Sequence, residues 1–165
     1  MRKSVIGVMG PGAKASPKDV ETAFELGKLI AQNGWILLSG GRAAGVMDAV
    51  NKGAKSAGGL TIGISPEKDA SILSESVDIG IVTGMGSARN AINVLTSDVV
   101  IGCGEGGAGT ASEIALALKS KKNVVLVGES AEAQALYTKL GGDSVHIVNT
   151  PEQAIMVVKH ILTSL

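Results

Sequence analysis

The sequence predicts a doubly wound α/β domain built on a mainly parallel sheet of about seven strands flanked by helices. Seven short apolar runs are continuous rather than alternating, which is typical of strands covered on both faces. Between them lie segments with helical spacing, and strands that alternate with helices imply right-handed crossover connections. At 165 residues, the chain is most simply one domain over residues 1–165.

The predicted strands cover short runs of Val, Ile, Leu and Gly. They span residues 4–9, 35–39, 59–64, 78–83, 98–103, 123–128 and 145–148. Because each run is too short for a helix of ordinary length, we interpret all of them as strands of one sheet.

The first predicted helix has well-marked ends. Ser16 is placed as its N-cap, Pro17 at its first position, and Asp19 as the acid of a capping box. Gly34 closes the helix. These signals make this helix the best defined from sequence.

The faces of the helices are less well marked than their ends. In the first helix, we expect Val20, Phe24 and Ile30 near one face, with Gly27 allowing close approach to the sheet. The last helix repeats the start signal, with an N-cap threonine, a proline and a glutamine. Its residues are Thr150, Pro151 and Gln153. The remaining helices are expected over about 44–57, 87–96, 109–121 and 131–140.

Composition excludes several classes of function. Fifteen basic residues balance fifteen acidic ones, so no global field attracts nucleic acid or an anionic membrane. Phe24, Trp35 and Tyr137 are the only aromatic residues, too few for base-stacking platforms. The single Cys103 excludes an internal disulfide, and the sequence shows no signal peptide or membrane span. We therefore expect a cytoplasmic protein without nucleic-acid or membrane partners.

Glycine-rich turns follow four of the predicted strands. They lie at residues 9–12, 39–45, 83–87 and 104–109. In an open parallel sheet, ligands bind at the carboxyl edge, where glycines let backbone amides approach an anion. The last turn leads into a helix, whose N-terminus carries unpaired N–H groups and positive partial charge. The turns therefore predict an anion site, although tight βα turns alone would also use glycine.

None of these turns matches a common nucleotide motif. The pattern G-x-x-x-x-G-K-[ST] of a P-loop is absent, and the turn after the first strand does not read G-x-G-x-x-G. P-loop and ordinary dinucleotide binding are therefore not indicated.

Three segments carry a resemblance to a known family. They are "SGGRAAGVMDAVNKGAKSAGGLTIGISP", "GSARNAINVLTSDVVI" and "GEGGAGTASEIALAL". Together they resemble the Rossmann-like superfamily of cytokinin-activating phosphoribohydrolases, once labelled lysine decarboxylases. The nearest branch contains the small molybdenum cofactor carrier proteins.

The chain departs from the hydrolase pattern P-G-G-x-G-T-x-x-E at two positions. Glu105 replaces the proline, and Asn90 stands where the hydrolases have lysine after the arginine that Arg89 matches. A carboxylate at position 105 would weaken anion binding unless it points away or pairs with Arg89 or Arg42. These forms are more similar to the carrier branch.

The resemblance implies binding of the molybdenum cofactor (molybdopterin), a pterin with a terminal phosphate, and no independent metal site. We expect the phosphate on the amides of residues 106–110, those of Gly40 and Gly41 in the same crevice, and Arg89 or Arg42 as the cation. The expected cofactor-binding residues are Gly10, Gly12, Ser39, Gly40, Gly41, Arg42, Gly86, Arg89, Asn90, Gly106, Gly107, Gly109, Thr110 and Glu113.

Two other functions remain open. In a nucleoside 5′-monophosphate phosphoribohydrolase, Arg89 and Glu113 would act on the N-glycosidic bond. Glu113 is otherwise a ligand-binding group or an acid that complements the helix dipole. A DNA-binding or nucleotide-sensing module is the third reading, because the superfamily includes recombination mediators.

The remaining residues that could bind metal or react are interpreted as structural. Cys103 is expected in the core, and His146 and His160 lie outside the glycine turns in sequence. The resemblance also implies a homo-oligomer, either a dimer or a dimer of dimers, with apolar faces in the segments "EIALALKSKK" and "AINVLT". A molybdoenzyme or cofactor-biosynthesis protein is the implied partner.

Overall fold

The computed structural model describes residues 2–164, and its strands and helices alternate along the chain. The elements are β1 (Val5–Met9), α1 (Pro17–Gln32), β2 (Ile36–Ser39), α2 (Gly45–Ser56), β3 (Thr61–Ser65), β4 (Ile79–Val82), α3 (Asn90–Thr96), β5 (Val99–Cys103), α4 (Ala108–Lys119), β6 (Val124–Val127), α5 (Ala131–Gly141), β7 (Val145–Val148) and α6 (Pro151–Thr163). The helix predicted over 87–96 begins as a 3₁₀ turn at Gly86–Arg89. A second 3₁₀ turn, Gly142–Ser144, precedes β7.

The seven strands form one parallel sheet in the order β4-β3-β2-β1-β5-β6-β7, which confirms the predicted fold class. The central strand β1 pairs with β2 on one side and with β5 on the other. Because the strand order reverses at this point, a crevice opens outside the carboxyl ends of β1 and β5. The fold therefore places its ligand crevice among the loops that leave these strands.

Helices cover both faces of the sheet. On one face, α1, α2 and α6 bury a cluster that includes Leu26, Val50 and Val158. On the other face, α3, α4 and α5 bury a second cluster that includes Val94 and Ile114. Val, Ile, Leu and Ala supply most of both cores, which lets the helices pack closely on the sheet.

The predicted start signals of α1 and α6 are present. The amide of Asp19 donates to Ser16 Oγ at 3.1 Å, and the amide of Ser16 donates to Asp19 Oδ2 at 3.0 Å, which completes the capping box. In α6, the amide of Gln153 donates to Thr150 Oγ1 at 3.2 Å. Each cap satisfies a backbone N–H that the helix itself leaves unpaired, a contribution of about 1 kcal/mol.

The predicted face of α1 was partly wrong. Val20 and Phe24 are 38% and 39% exposed, whereas Ile30 is buried. Gly27 faces α2 rather than the sheet, because a Cβ at this position would collide with the carbonyl oxygen of Val50. The buried face of α1 is formed instead by Ala23, Leu26, Gly27 and Ile30, and Val20 and Phe24 lie beside this face.

Continuous hydrophobicity also failed to show that β4 is one of the two edge strands. Ile79, Ile81 and Val82 of β4 are 40–46% exposed, because β4 is the last strand in the sheet order. The prediction of a strand at this run is confirmed, but the prediction that both of its faces are covered is wrong. Among residues 2–164, no helix is long and apolar enough to cross a bilayer.

Candidate functional site

A cavity of about 520 Å³ opens at the carboxyl edge of the sheet. The loops after β1, β2, β3 and β5 and the 3₁₀ turn before α3 all contribute to its wall. The four glycine turns identified in the sequence therefore meet around one space. Its volume lies in the range of about 300–1,000 Å³ that is usual for small-molecule sites.

Most of the predicted binding residues line this cavity. Those that do are Gly10, Gly12, Gly40, Arg42, Gly86, Arg89, Asn90, Gly107, Gly109, Thr110 and Glu113. Ser39, Gly41 and Gly106 are not part of the lining.

Helix α4 presents its N-terminus to the cavity. Gly107 is its N-cap, no side chain caps the helix, and the first turn continues through Gly109 and Thr110. The first intrahelical bond runs from the amide of Ala111 to the carbonyl of Gly107 at 3.0 Å. The preceding amides of this turn lack such a partner, as at any helix start, and carry the positive end of the helix dipole. An anion in the cavity can accept hydrogen bonds from them.

Arg89 is held in the cavity wall by main-chain oxygens. Its Nε donates to the carbonyl of Ile64 at 2.9 Å, its Nη2 lies 3.5 Å from the carbonyl of Gly40, and its Nη1 donates to Asn90 Oδ1. Burial lowers the pKa of the guanidinium, which nonetheless stays charged because its ordinary value is so high. The side chain is thus a fixed cation, with its orientation set before any ligand binds.

Gly40 is a glycine because Arg89 lies against it. A Cβ at Gly40 would sit 2.9 Å from Arg89 Nη2 and 2.7 Å from Met47 Sδ. The second glycine turn therefore leaves room for the guanidinium as well as bordering the cavity.

Asn90 and Glu113 connect the 3₁₀ turn and α3 to α4. Asn90 Nδ2 donates to Ser112 Oγ at 3.0 Å, and Asn93 Nδ2 donates to Glu113 Oε1 at 2.8 Å. Burial raises the pKa of Glu113, while the hydrogen bond from Asn93 and the charge of Arg89 act in the opposite direction. Within the described residues, Asn93 Oδ1 is buried without a partner. These bonds fix the cation and the helix start relative to each other.

The three predicted residues outside the lining have packing roles. The amide of Gly41 donates to Ser39 Oγ at 3.1 Å. A Cβ at Gly41 would lie 2.6 Å from Leu73 Cδ2, and one at Gly106 would collide with the Thr110 side chain. Gly41 therefore makes room for Leu73, which is distant in sequence, and Gly106 makes room for Thr110, four residues ahead.

Glu105 is not among the residues that line the cavity. It is exposed, and Arg42 pairs with Glu67 instead, at 3.6 Å. Burial, followed by the charges of Glu105 and Asp19, raises the pKa of Glu129 to about 7. The carboxylate that replaces the proline thus lies near two other carboxyl groups, those of Asp19 and Glu129.

The sequence analysis did not identify several lining residues. Lys14 follows the first glycine turn, Met47 lies on α2, Ser87 precedes Arg89, and Pro66 and Glu67 follow β3. Lys14 and Glu67 could have been predicted, because both lie in loops that follow strands. Glu67 was missed because the loop after β3 contains no glycine, and glycine was the signal that we used. The lining cations are Lys14, Arg42 and Arg89.

Cys103 and the two histidines lie outside this arrangement. Cys103 is fully buried, and burial raises the pKa of its thiol, so it is neither a ready nucleophile nor a ready metal ligand. His146 and His160 belong to β7 and α6 and do not line the cavity. Among residues 2–164, no group of three or more His, Cys, Asp or Glu could hold a metal ion.

Comparisons with known proteins place the chain in a family. It is 54% identical to the molybdenum cofactor binding protein of Rippkaea orientalis, with a TM-score of 0.96 over 98% of this chain and 99% of that one. It is 51% identical to the molybdenum cofactor carrier protein of Chlamydomonas reinhardtii, with a TM-score of 0.93 and the same coverage. An uncharacterized protein of Archaeoglobus fulgidus is 41% identical over 94% of each chain. The model of the SLOG cluster4 family matches residues 3–155, and the chain belongs to this family.

Proposed function

We propose that this protein binds, protects and carries the molybdenum cofactor in the cavity at the carboxyl edge of its sheet, without catalysing a reaction. The observation that carries the proposal is the pairing of an uncapped helix N-terminus with a fixed, buried arginine in one cavity. The two solved relatives at 51–54% identity, which are cofactor-binding or carrier proteins, support the choice of ligand.

The terminal phosphate of the cofactor fits the end of the cavity formed by α4. The amides of Gly109 and Thr110 can donate to phosphate oxygens, and the helix dipole favours the negative charge there. Arg89 adds a charge-assisted contact in a geometry that suits phosphate or oxo-anion oxygens. Binding by fixed groups costs little ordering of the protein, which favours tight binding of a ligand that must be retained.

The rest of the cavity suits a flat, partly polar ring system. Val8, Met9, Pro11, Met47 and Pro66 give apolar surface, and Ser87, Asn90 and Glu113 give hydrogen-bonding groups. Buried Glu113 can accept hydrogen bonds from ring N–H groups when ionised and donate one when protonated. Such a wall shields bound cofactor from bulk water, which is the basis of the proposed protection.

Anaerobic titration of the purified protein with molybdenum cofactor tests the proposal. We expect one cofactor per chain and slower loss of the cofactor on exposure to air than in free solution. Absence of stoichiometric binding, or equal loss rates with and without the protein, would contradict the carrier function.

The phosphoribohydrolase alternative uses the same two residues and has its own test. Arg89 and Glu113 both line the cavity, as that reading requires. However, Glu113 is hydrogen-bonded to Asn93, and Asn90 takes the place of a second cation. Incubation with AMP or a cytokinin ribotide should release no free base. Release that Arg89→Ala or Glu113→Ala abolishes would establish the enzyme instead.

Self-association is also proposed, through apolar surface away from the cavity lining. Leu95 on α3 and Leu136 and Leu140 on α5 are all more than half exposed. Isolated exposed leucines are ordinary on a monomer, but three on the helices of one face favour an interface. Light scattering after size exclusion should give the mass of a dimer or a dimer of dimers, and Leu95→Ser should lower it if α3 is in the contact.

A further inference from the structure

A groove between the N-terminal turns of α1 and α6 forms a second concave surface, which we call the acidic groove. Its volume is about 620 Å³. Val20, Phe24 and the ring of Pro17 form one apolar wall, and Pro151 contributes from α6. Val20 and Phe24 line the groove and are 38% and 39% exposed. Two apolar side chains therefore stand at surface positions of α1 that polar residues could occupy. Exposed apolar surface of this kind in a concave site often marks an interaction surface.

The groove is rimmed by carboxylates. Glu21, Glu25 and Glu152 line it, and its lining contains no lysine or arginine. Lys28 pairs with Glu25 at 3.3 Å, whereas Glu21 and Glu152 form no ion pair among the described residues. The protein has no net charge, so this concentration of acid is local.

The acidic surface continues toward the glycine loop after β5. Asp19, on the first turn of α1, and Glu105 both raise the pKa of Glu129, which places the three carboxyl groups near one another. Of these three residues, Asp19 lies on the same helix as Val20 and Phe24. Asp19 thus lies close to the groove residues of α1 and also to the carboxyl groups that follow β5 and β6.

The groove and the cavity are joined by one short segment. Lys14 lines the cavity and Pro17 lines the groove. Three residues span at most about 11 Å even when extended, so the two surfaces lie side by side at the sheet edge. A protein seated in the groove would stand directly beside the mouth of the cavity.

We propose that the acidic groove is the docking site for a partner protein that presents apolar side chains flanked by lysine or arginine. The apolar wall and the carboxylate rim define the chemistry of this partner, because buried apolar area gives affinity and complementary charge gives orientation and rate. The further assignment of the partner as a donor or acceptor of the molybdenum cofactor rests on the proposed function. The binding chemistry of the groove does not depend on it.

The test uses two labelled helical peptides as probes, one with leucines on one face and lysines on the other, and a twin with glutamate in place of lysine. Fluorescence anisotropy of the full-length protein should show the lysine peptide binding at least tenfold more tightly than its twin. Raising the salt concentration should weaken the binding, since the rim charges are exposed. The double variant Glu21→Lys, Glu152→Lys should weaken binding of the lysine peptide at least tenfold, and Phe24→Ser should also weaken it.

Leu60→Ser is the matched control, because Leu60 is 40% exposed, lies outside the groove lining and has no part in the proposed self-association, and it should leave peptide binding unchanged. Equal binding of both peptides, or binding that survives the groove variants, would overturn the proposal. A fall in oligomer mass with Phe24→Ser would also overturn it, by showing that a second copy of the chain occupies the groove. Cofactor titration of wild type and of the groove variants is a separate measurement. If wild type fails to bind cofactor, the carrier function is contradicted, but the peptide-binding result still stands.

Discussion

The cavity and the acidic groove lie at one edge of the sheet but differ in the charged groups that line them. In the cavity, the amides of α4 and the guanidinium of Arg89 provide positive potential on a fixed scaffold. In the groove, Glu21 and Glu152 surround exposed apolar side chains. A chain without net charge therefore has one site with fixed positive groups and another with a carboxylate rim, because each charge acts only locally.

Two buried carboxyl groups show the same contrast at the level of single residues. Burial raises the pKa of both Glu113 and Glu129. Glu113 has Arg89 as a neighbour, which partly offsets the effect, whereas Glu129 has Glu105 and Asp19, which add to it. The cavity side therefore favours ionised carboxylate more than the acidic side does.

The largest expected effect comes from Arg89→Ala on the cavity side. It removes a buried cation near Glu113 and leaves the carbonyl of Ile64 without its donor, so the free energy of unfolding should fall by roughly 3 kcal/mol. Loss of the charge-assisted contact should weaken cofactor binding about 100-fold. Denaturant unfolding and anaerobic titration measure the two quantities.

Arg42→Ala is the control for this prediction. Arg42 is about half exposed and pairs with Glu67 on the surface, so its loss should cost about 1 kcal/mol or less of stability. Equal losses of stability in the two variants would contradict the distinction between the buried Arg89 and the half-exposed Arg42.

An intermediate effect is expected from Glu129→Gln on the acidic side. Its pKa is about 7 in the folded protein and near its ordinary value of 4.5 when unfolded, so the folded state holds the proton more tightly. Wild-type stability should therefore fall as pH rises from about 4.5 to 7, and the glutamine variant should lack this fall. The free energy of unfolding, measured at pH 5 and pH 8, should increase for the variant relative to wild type only at pH 8.

Glu105→Gln is the matched control, because it removes a neighbouring charge but leaves the buried carboxyl in place. The pH dependence should weaken in this variant without vanishing. The assigned pKa would be contradicted if wild-type stability rose between pH 5 and pH 8 and Glu129→Gln removed that rise.

The smallest effect is expected from Phe24→Ser in the groove. Phe24 is 39% exposed, so its replacement should change the free energy of unfolding by about 1 kcal/mol or less. Leu26→Ala, two residues along the same helix, should cost about 2–5 kcal/mol because Leu26 is fully buried. Equal losses in the two variants would mean that Phe24 belongs to the core after all.

The sequence was informative wherever the signal was local. Continuous apolar runs predicted all seven strands, and Ser16 with Asp19 predicted the capping box. The carboxyl-edge rule brought the right loops together, because parallel strands must end on the same side.

Features that depend on distant neighbours were not predictable. The exposure of Val20 and Phe24 depends on which residues of α1 are buried in the fold, and that of β4 depends on the strand order. A glycine that lines a cavity has the same sequence appearance as one that makes room for a side chain. Gly41 therefore could not be separated from Gly40 before its contact with Leu73 was known.

The most direct test of the central claim replaces Gly107, the N-cap of α4. Its backbone is extended, with a φ of −86°, and no atom lies within 4 Å of an added Cβ, so side chains fit there without strain. In Gly107→Asp, the carboxylate should accept hydrogen bonds from the same amides that the phosphate needs, and its charge should repel the ligand. Gly107→Ala adds a Cβ without a cap or a charge, and Gly107→Asn adds a cap without a charge.

Anaerobic cofactor titration of these variants, with denaturant unfolding in parallel, is the decisive measurement. We predict one cofactor per chain for wild type and Gly107→Ala, weaker binding for Gly107→Asn, and loss of binding for Gly107→Asp. The stability of Gly107→Asp should stay within a few tenths of a kcal/mol of wild type or exceed it. Full binding by a correctly folded Gly107→Asp would contradict the claim that the N-terminus of α4 holds the anionic end of the cofactor.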